Sequence, residues 1–278
     1  MFVACANRRS PHFRGYTRLG GERTLGKVDW REMVDIWPEK EALPASELAS
    51  APPYKRLDGP NLWPEALPSL RPVIEEWQAA ITPAAHKLLR AWAVSLGAEE
   101  DFFDKHFTDP STRLKIVRYP AEPDNSGEPV VGVGPHKDGG CVTLLWVQPG
   151  TGGLQIRPEE NGPWIDAPPL DRPGAFVCNI GEMVEFATGG YLKATVHRVL
   201  SQPRERISVP IFFNPSMDAQ FPTLTLPPEL AAEARGVTQD PNDKIHALYG
   251  NNLLKSRLRA HPDVAAIHHA DLVESKAF

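Results

Sequence analysis

The sequence is short of the features that mark secreted, membrane-spanning and nucleic-acid-binding proteins. It holds three cysteines, Cys5, Cys141 and Cys178, in 278 residues. An odd number at that spacing fits neither a zinc ribbon nor a disulfide framework, so free thiols in a reducing compartment are expected. Basic charge is not in excess: 30 Lys and Arg face 35 Asp and Glu, a formal net charge of −5. That provides no positive field for nucleic acid. No stretch approaches the ~18 consecutive apolar residues of a membrane helix. The opening "MFVACANRRS" puts its arginines after a short apolar run, the reverse of a secretory leader. Internal repeats are also lacking. These absences lead to the expectation of a cytoplasmic protein whose partner is a small-molecule substrate, not nucleic acid or membrane. They leave the oligomeric state open.

Proline, by contrast, is plentiful at 29 residues, which favours turns and short strands over a helical bundle. Within residues 67–96 the apolar positions Leu70, Val73, Ile74, Trp77, Ile81, Ala84, Leu88, Trp92 and Leu96 recur at steps of three and four. That spacing predicts a helix with one apolar face, kinked or split at Pro83 and stopped at Gly97. Beyond about residue 110 the pattern changes to short β-rich runs punctuated by Gly or Pro: "RLKIVRYP", "CVTLLWVQ", "GGLQIRP", "GPWIDAPP", "GAFVCNIG", "ATVHRVL" and "RISVPIFF". A sandwich, jelly roll or barrel is expected there. A further helix is expected near the end, carrying Ile245, Leu248, Leu253 and Leu258.

Chemistry concentrates in the β region. "GPHKDGG", residues 134–140, places His136 and Asp138 two apart. In an extended chain such residues share a face, so an imidazole and a carboxylate can converge on one metal ion. Alone the triplet reads as a polar turn. His197, in the alternating run "ATVHRVL", supplies a second imidazole after four or five candidate strands. Two histidines and one carboxylate form the facial triad of non-haem Fe(II) oxygenases. Arg206 and Ser208, in "RERISVPIFF", form another same-face pair on the following run, suited to capture of a carboxylate.

These runs, with "FRGYTRLGGE", "LKIVRYP" and "CNIGEMVEFATGGYLKATVHRVLS", resemble the Fe(II)- and 2-oxoglutarate-dependent oxygenases of the isopenicillin N synthase-like superfamily. The resemblance covers most of the chain and is read as that to a bacterial member. It implies a mainly β fold with flanking helices, a double-stranded β-helix (jelly roll). It also implies Fe(II), O2 and 2-oxoglutarate as cosubstrate, consumed to succinate and CO2 as a small organic substrate is oxidised. His136, Asp138 and His197 would bind iron. Arg206 and Ser208 would hold the distal carboxylate of 2-oxoglutarate, with the Tyr119 hydroxyl near it. Phe212, Lys115 and Tyr16 match positions that touch substrate in related flavonoid-type enzymes, and Phe212 and Lys115 also follow from strand alternation. Lys137, between two ligands, is expected to point away from the metal. The seven other histidines, His12, His86, His106, His246, His261, His268 and His269, are expected on the surface or on helices.

Two departures from the family stand out. Val117 occupies a position where plant members usually carry asparagine. The family's N-terminal segment, roughly sixty residues, is expected to be missing, leaving a sheet edge and part of the pocket uncovered. The organisation expected is one structural unit: residues 1–110 as a partial N-terminal region with the long helix, 111–215 as the oxygenase core and 216–278 as a helical extension. Two alternatives remain at this point: an isopenicillin N synthase-type iron oxidase that does not use 2-oxoglutarate, and a non-catalytic metal-binding jelly roll.

Overall fold

Alternating apolar residues and frequent turn residues produce twelve short strands among the described residues. They are β1 (Gly15–Thr17), β2 (Arg23–Thr24), β3 (Lys27–Val28), β4 (Glu32–Ile36), β5 (Arg113–Tyr119) and β6 (Val131–His136). They continue with β7 (Val142–Val147), β8 (Leu154–Arg157), β9 (Ile165–Asp166), β10 (Val177–Ile180), β11 (Val196–Leu200) and β12 (Arg206–Phe213). The computed structural model describes residues 4–122, 130–237 and 245–275. A six-stranded sheet runs β1-β4-β5-β12-β7-β10, and a four-stranded sheet runs β6-β11-β8-β9. β2 and β3 form a hairpin. The paired strands are antiparallel, and the two sheets make the jelly roll.

Each face of the large sheet has its own work. Val209, Ile211 and Phe213 of β12 join Leu114 of β5 in a core shared with the long helix. The opposite face supplies Met33, Val117 and Tyr119, which meet Val133, Leu154 and Val199 of the small sheet. The site lies between the sheets on this second side.

The long helix spans Leu70–Ser95 and continues through Pro83. The helix is not split there. Pro83 faces solvent, where the carbonyl it displaces can turn to water. The buried face is Ile74, Ile81, Ala85, Leu89 and Ala93, while Val73 is 59% exposed. The apolar stripe is thus rotated by about one residue from the expected one, because Leu70, Trp77, Leu88 and Trp92 flank the contact line instead of occupying it. Gly97 ends the helix at φ +80°, and Ala98 donates its N–H to Ala93 O at 2.9 Å.

A buried ionic cluster ties the N-terminal segment to β5 and to the helix Tyr249–Ala260. Glu22 meets Arg31 at 2.5 Å, Lys115 at 2.8 Å, the ring of His261 at 3.5 Å and Arg257 at 3.9 Å. Asp35, opposite Lys115 in the β4–β5 register, lies 3.9–4.0 Å from Lys115, Arg257 and Arg113. Removing Glu22 leaves the buried cations Arg31, Lys115 and Arg257 with only Asp29 and Asp35 to offset them, so Glu22→Ala is expected to lower unfolding free energy by about 3–5 kcal/mol in urea titration. A loss below about 1 kcal/mol would show that the cluster is solvated.

His261 and His269 are buried, which corrects the expectation that these histidines lie at the surface. They lie between helices, as cap residues of Tyr249–Ala260, Pro262–His268 and Ala270–Glu274, so the helix half of the expectation also fails, and their imidazoles pack against Phe13. Burial pushes His261 down to about 3, against the pull of Glu22 and Asp35 and with Arg257 and Lys115 adding to the drop. The unfolded chain takes up this proton near pH 6.5. The stability involved is therefore complete above pH 6.5 and declines as pH falls toward the folded value. The urea midpoint is expected to drop between pH 6.5 and 4.5 in the wild type, and less steeply in His261→Gln. Parallel slopes would remove His261 from the account.

Candidate active site

β6 and β11 pair so that His197 lies opposite His136, with ring centroids 4.2 Å apart. Each ring is oriented by the same local device. His136 Nδ1 meets Gly134 O at 2.9 Å, and His197 Nδ1 meets Thr195 O at 3.0 Å. A carbonyl only accepts, so each Nδ1 carries the proton and each Nε2 presents its lone pair.

Asp138 lies beyond the end of β6, in the turn that follows. It reaches the histidines through turn geometry, not as part of a continuous strand. The turn is held by Glu182 N–H donating to Asp138 O at 2.8 Å and by Cys141 N–H donating to Asn214 Oδ1 at 2.7 Å. A Cβ at residue 140 would fall 2.0 Å from Asn214 Oδ1, so any larger residue there would displace the Asn214 side chain that accepts from Cys141. Lys137 turns away from the metal side, as expected, and its ammonium donates to the buried Glu185 carboxylate at 2.8 Å.

The Asp138 carboxylate is divided between two tasks. Oδ2 accepts from Thr143 Oγ1 at 2.6 Å and Asn179 Nδ2 at 2.7 Å. Oδ1 lies 3.8 Å from His136 Nε2 and 3.9 Å from His197 Nε2, too far for hydrogen bonds. One ligand atom from each residue lies within 4.8 Å of the others. A cation set between such atoms meets them at about 2 Å, the distance of first-row metal ligation. Burial pushes His136 down to about 3, with His197 adding to the drop. Burial would raise Asp138, but His197, His136, Thr143 and Asn179 together hold it at about 2. Unprotonated nitrogen and oxygen donors without a thiol suit Fe(II).

Thr143 and Asn179 were not singled out in the sequence. Their alternation on β7 and β10 was visible, but only the Asn179–Thr143 pairing in the register brings them together. Asn179→Ala is expected to weaken Fe(II) affinity by about 10–100-fold in anaerobic titration, the usual cost of losing a partner behind a ligand. Unchanged affinity would deny Asn179 that part.

The second half of the site is built on β12. Arg206, Ser208, Pro210 and Phe212 alternate with the exposed Ile207 and the core residues Val209, Ile211 and Phe213, and all four line one pocket with His136, Asp138 and His197. Arg206 stands opposite Tyr119 in the β12–β5 register, and Ser208 opposite Val117. Arg206 is 1% exposed. One terminal nitrogen donates to Gly152 O, while Nε and Nη2 have no partner. Its guanidinium lies 4.7 Å over the Tyr119 ring. Burial pushes Arg206 down from its ordinary value. Val117 is buried apolar packing between the sheets, without the polar contact that asparagine would offer.

Two expected pocket residues are elsewhere. Lys115 has the right parity on β5, but Glu22, Asp35 and Arg257 fill the space above it, and it does not line the pocket. Tyr16 aligns with Val34, and Val34 with Ile116. That row faces away from Tyr119, and Tyr16 donates its hydroxyl to Glu32 at 2.5 Å. Arg31 does line the pocket. No motif marked it in advance, because it lies just outside β4 in a charged stretch.

A jelly roll with a His-Asp-His triad, and a buried guanidinium lining the same pocket, is the arrangement of a metal-binding oxygenase fold. Residues 109–215 match the family model described as 2OG-Fe(II) oxygenase superfamily. Residues 4–66 match the model described as non-haem dioxygenase in morphine synthesis N-terminal. The chain belongs to the 2OG-Fe(II) oxygenase superfamily, and its metal and cosubstrate are Fe(II) and 2-oxoglutarate. The second match gives the expectation of a missing N-terminal region no support, since residues 4–66 match the family's N-terminal model.

Relatives sharpen the comparison. The chain is 35% identical over 281 residues to the 2-oxoglutarate-dependent dioxygenase frbJ of Dothideomycetidae sp., covering 94% of this chain and 73% of the relative. It is 31% identical to homoarginine-6-hydroxylase 2-ODD-C23.1 of Arabidopsis thaliana, covering 87% and 71%. The crystal structure of JOX2 in complex with 2OG, Fe and JA superposes with a TM-score of 0.64 at 28% identity, covering 82% of this chain and 62% of that one. These fungal and plant relatives lend the bacterial assignment no support.

Proposed function

We propose that the site oxidises a small organic molecule, with Arg206, Ser208 and Tyr119 holding 2-oxoglutarate and Phe212 bordering the substrate. Within the superfamily the order of the motifs matches the isopenicillin N synthase-like group. The observation that carries the reading is Arg206: a buried guanidinium with two unpartnered nitrogens on the wall of the pocket that holds the triad. A buried donor of that strength requires an acceptor, and a carboxylate is the matching one.

Bound iron supplies the redox chemistry that couples O2 and 2-oxoglutarate to oxidation of the substrate, with succinate and CO2 released. The chain's own residues position the reactants. His136, Asp138 and His197 offer three donors from one side and leave the other side to the pocket. Ser208 adds a hydroxyl two positions from Arg206, and the Tyr119 hydroxyl completes the carboxylate-binding end. Val133, Leu145, Leu154, Ile156, Val177 and Val199 line the remainder and limit water around it.

The test is succinate formation by the iron-loaded protein across small acids, amino acids and aromatic metabolites. Succinate dependent on both 2-oxoglutarate and one of these substrates is expected. Substrate oxidation that proceeds undiminished without 2-oxoglutarate would instead indicate an oxidase.

A further inference from the structure

The carboxylate of Glu185 joins the two chain segments that carry the triad. It belongs to the helix Glu182–Ala187 and its side chain is 1% exposed. Oε2 accepts from the Lys137 ammonium at 2.8 Å and from the Ala194 N–H at 3.1 Å. Oε1 lies 3.5 Å from the Lys193 ammonium. Lys137 stands between His136 and Asp138, and Ala194 precedes Thr195, whose carbonyl orients His197. We propose that Glu185 is a positioning residue that sets the spacing of His136 and Asp138 from His197. This rests on the reading that those three residues hold the metal.

Strand pairing by itself holds that spacing weakly. His136 is the last residue of β6, and the β6–β11 register shifts between His197 and Val199. The ladder is therefore irregular at the pair that meets the metal, and Asp138 lies beyond its end. The helix that carries Glu185 closes this end. Its first residues grip the ligand turn: Glu182 N–H donates to Asp138 O at 2.8 Å and Met183 N–H to Gly140 O at 3.1 Å. Almost one turn further on, Glu185 reaches both segments. A buried carboxylate binds such donors strongly, because the bonds are charge-assisted and little water screens them. One oxygen shared by a donor from each segment fixes the distance between them. Without it the turn can shift against β11, and the three ligand atoms no longer meet one ion equally.

Titration of Co(II) into the intact metal-free chain, followed by visible absorption, tests this without turnover. Affinity reports binding, and the band positions report how the ligands stand around the ion. Glu185→Ala is expected to weaken Co(II) about tenfold, the low end for a residue behind a ligand, and to shift the bands. Lys137→Met is expected to do the same several-fold, and the double variant to match Glu185→Ala alone. Glu185→Gln keeps an oxygen between the two donors and is expected to restore the wild-type bands. Wild-type affinity in Glu185→Ala would overturn the proposal, as would a double variant weakened by the product of the two. Weakening without a band shift, or Glu185→Gln bands shifted as far as those of Glu185→Ala, would overturn it too. If Glu185→Ala does not fold, Lys137→Met decides, since it leaves the Ala194 bond in place. Weaker binding with shifted bands then supports the proposal, and wild-type behaviour overturns it. Asp138→Ala separates the two levels. If it binds Co(II) like the wild type, the triad reading itself fails. If it loses Co(II) while Glu185→Ala behaves as wild type, only the present inference fails.

Discussion

Asp138→Ala is expected to empty the iron site and abolish succinate formation. Asp138 is the one anionic donor of the triad, and its Oδ1 stands between the two imidazole nitrogens. The substitution leaves two neutral rings, which do not retain Fe(II) against washing. It also strands Thr143 and Asn179, whose donors lose their acceptor. Loss of a partner behind a ligand costs about 10–100-fold in metal affinity, and loss of the ligand itself is expected to exceed that. The measurement is iron per chain after anaerobic reconstitution and desalting. Equal iron in Asp138→Ala and wild type would remove the triad as the metal site, whatever the activity.

Arg206→Met carries the second large effect, and its direction differs between the free and the bound protein. Breaking a buried charged pair costs about 2–5 kcal/mol, and each 1.4 kcal/mol is about tenfold in affinity. Affinity for 2-oxoglutarate is therefore expected to fall by about thirtyfold to several thousandfold, with metal binding retained. In the free protein the same guanidinium is buried with Nε and Nη2 unpaired. An apolar side chain of similar length relieves that cost. The melting temperature without 2-oxoglutarate is expected to stay level or rise, while the stabilisation given by added 2-oxoglutarate disappears. A variant that is destabilised when free yet still stabilised by 2-oxoglutarate would contradict both halves.

The parts of the site legible in the sequence are those governed by local periodicity. His136 and Asp138 are two residues apart, and Arg206, Ser208 and Phe212 follow strand parity along β12. Side chains alternate strictly along an extended chain, so the face shared by the β12 residues can be read without knowing the neighbouring strand, whereas Asp138 joins His136 through the turn after β6. The same rule correctly turned Lys115 inward and wrongly gave it to the pocket. Parity specifies a face, not what covers that face at each level. Pro83 shows the corresponding limit for helices, since its cost depends on whether the displaced carbonyl faces water or protein.

The sequence by itself determined the metal donors, the arginine–serine pair and a β-rich fold, because residue chemistry and short-range spacing carry them. Only the tertiary structure decided that Thr143 and Asn179 orient Asp138, that Arg31 enters the pocket while Lys115 is sealed beneath Glu22, and that His261 is buried. Each of these depends on register and packing between segments far apart in the chain. Such contacts are selected by burial of the whole and leave no periodic trace in any one segment.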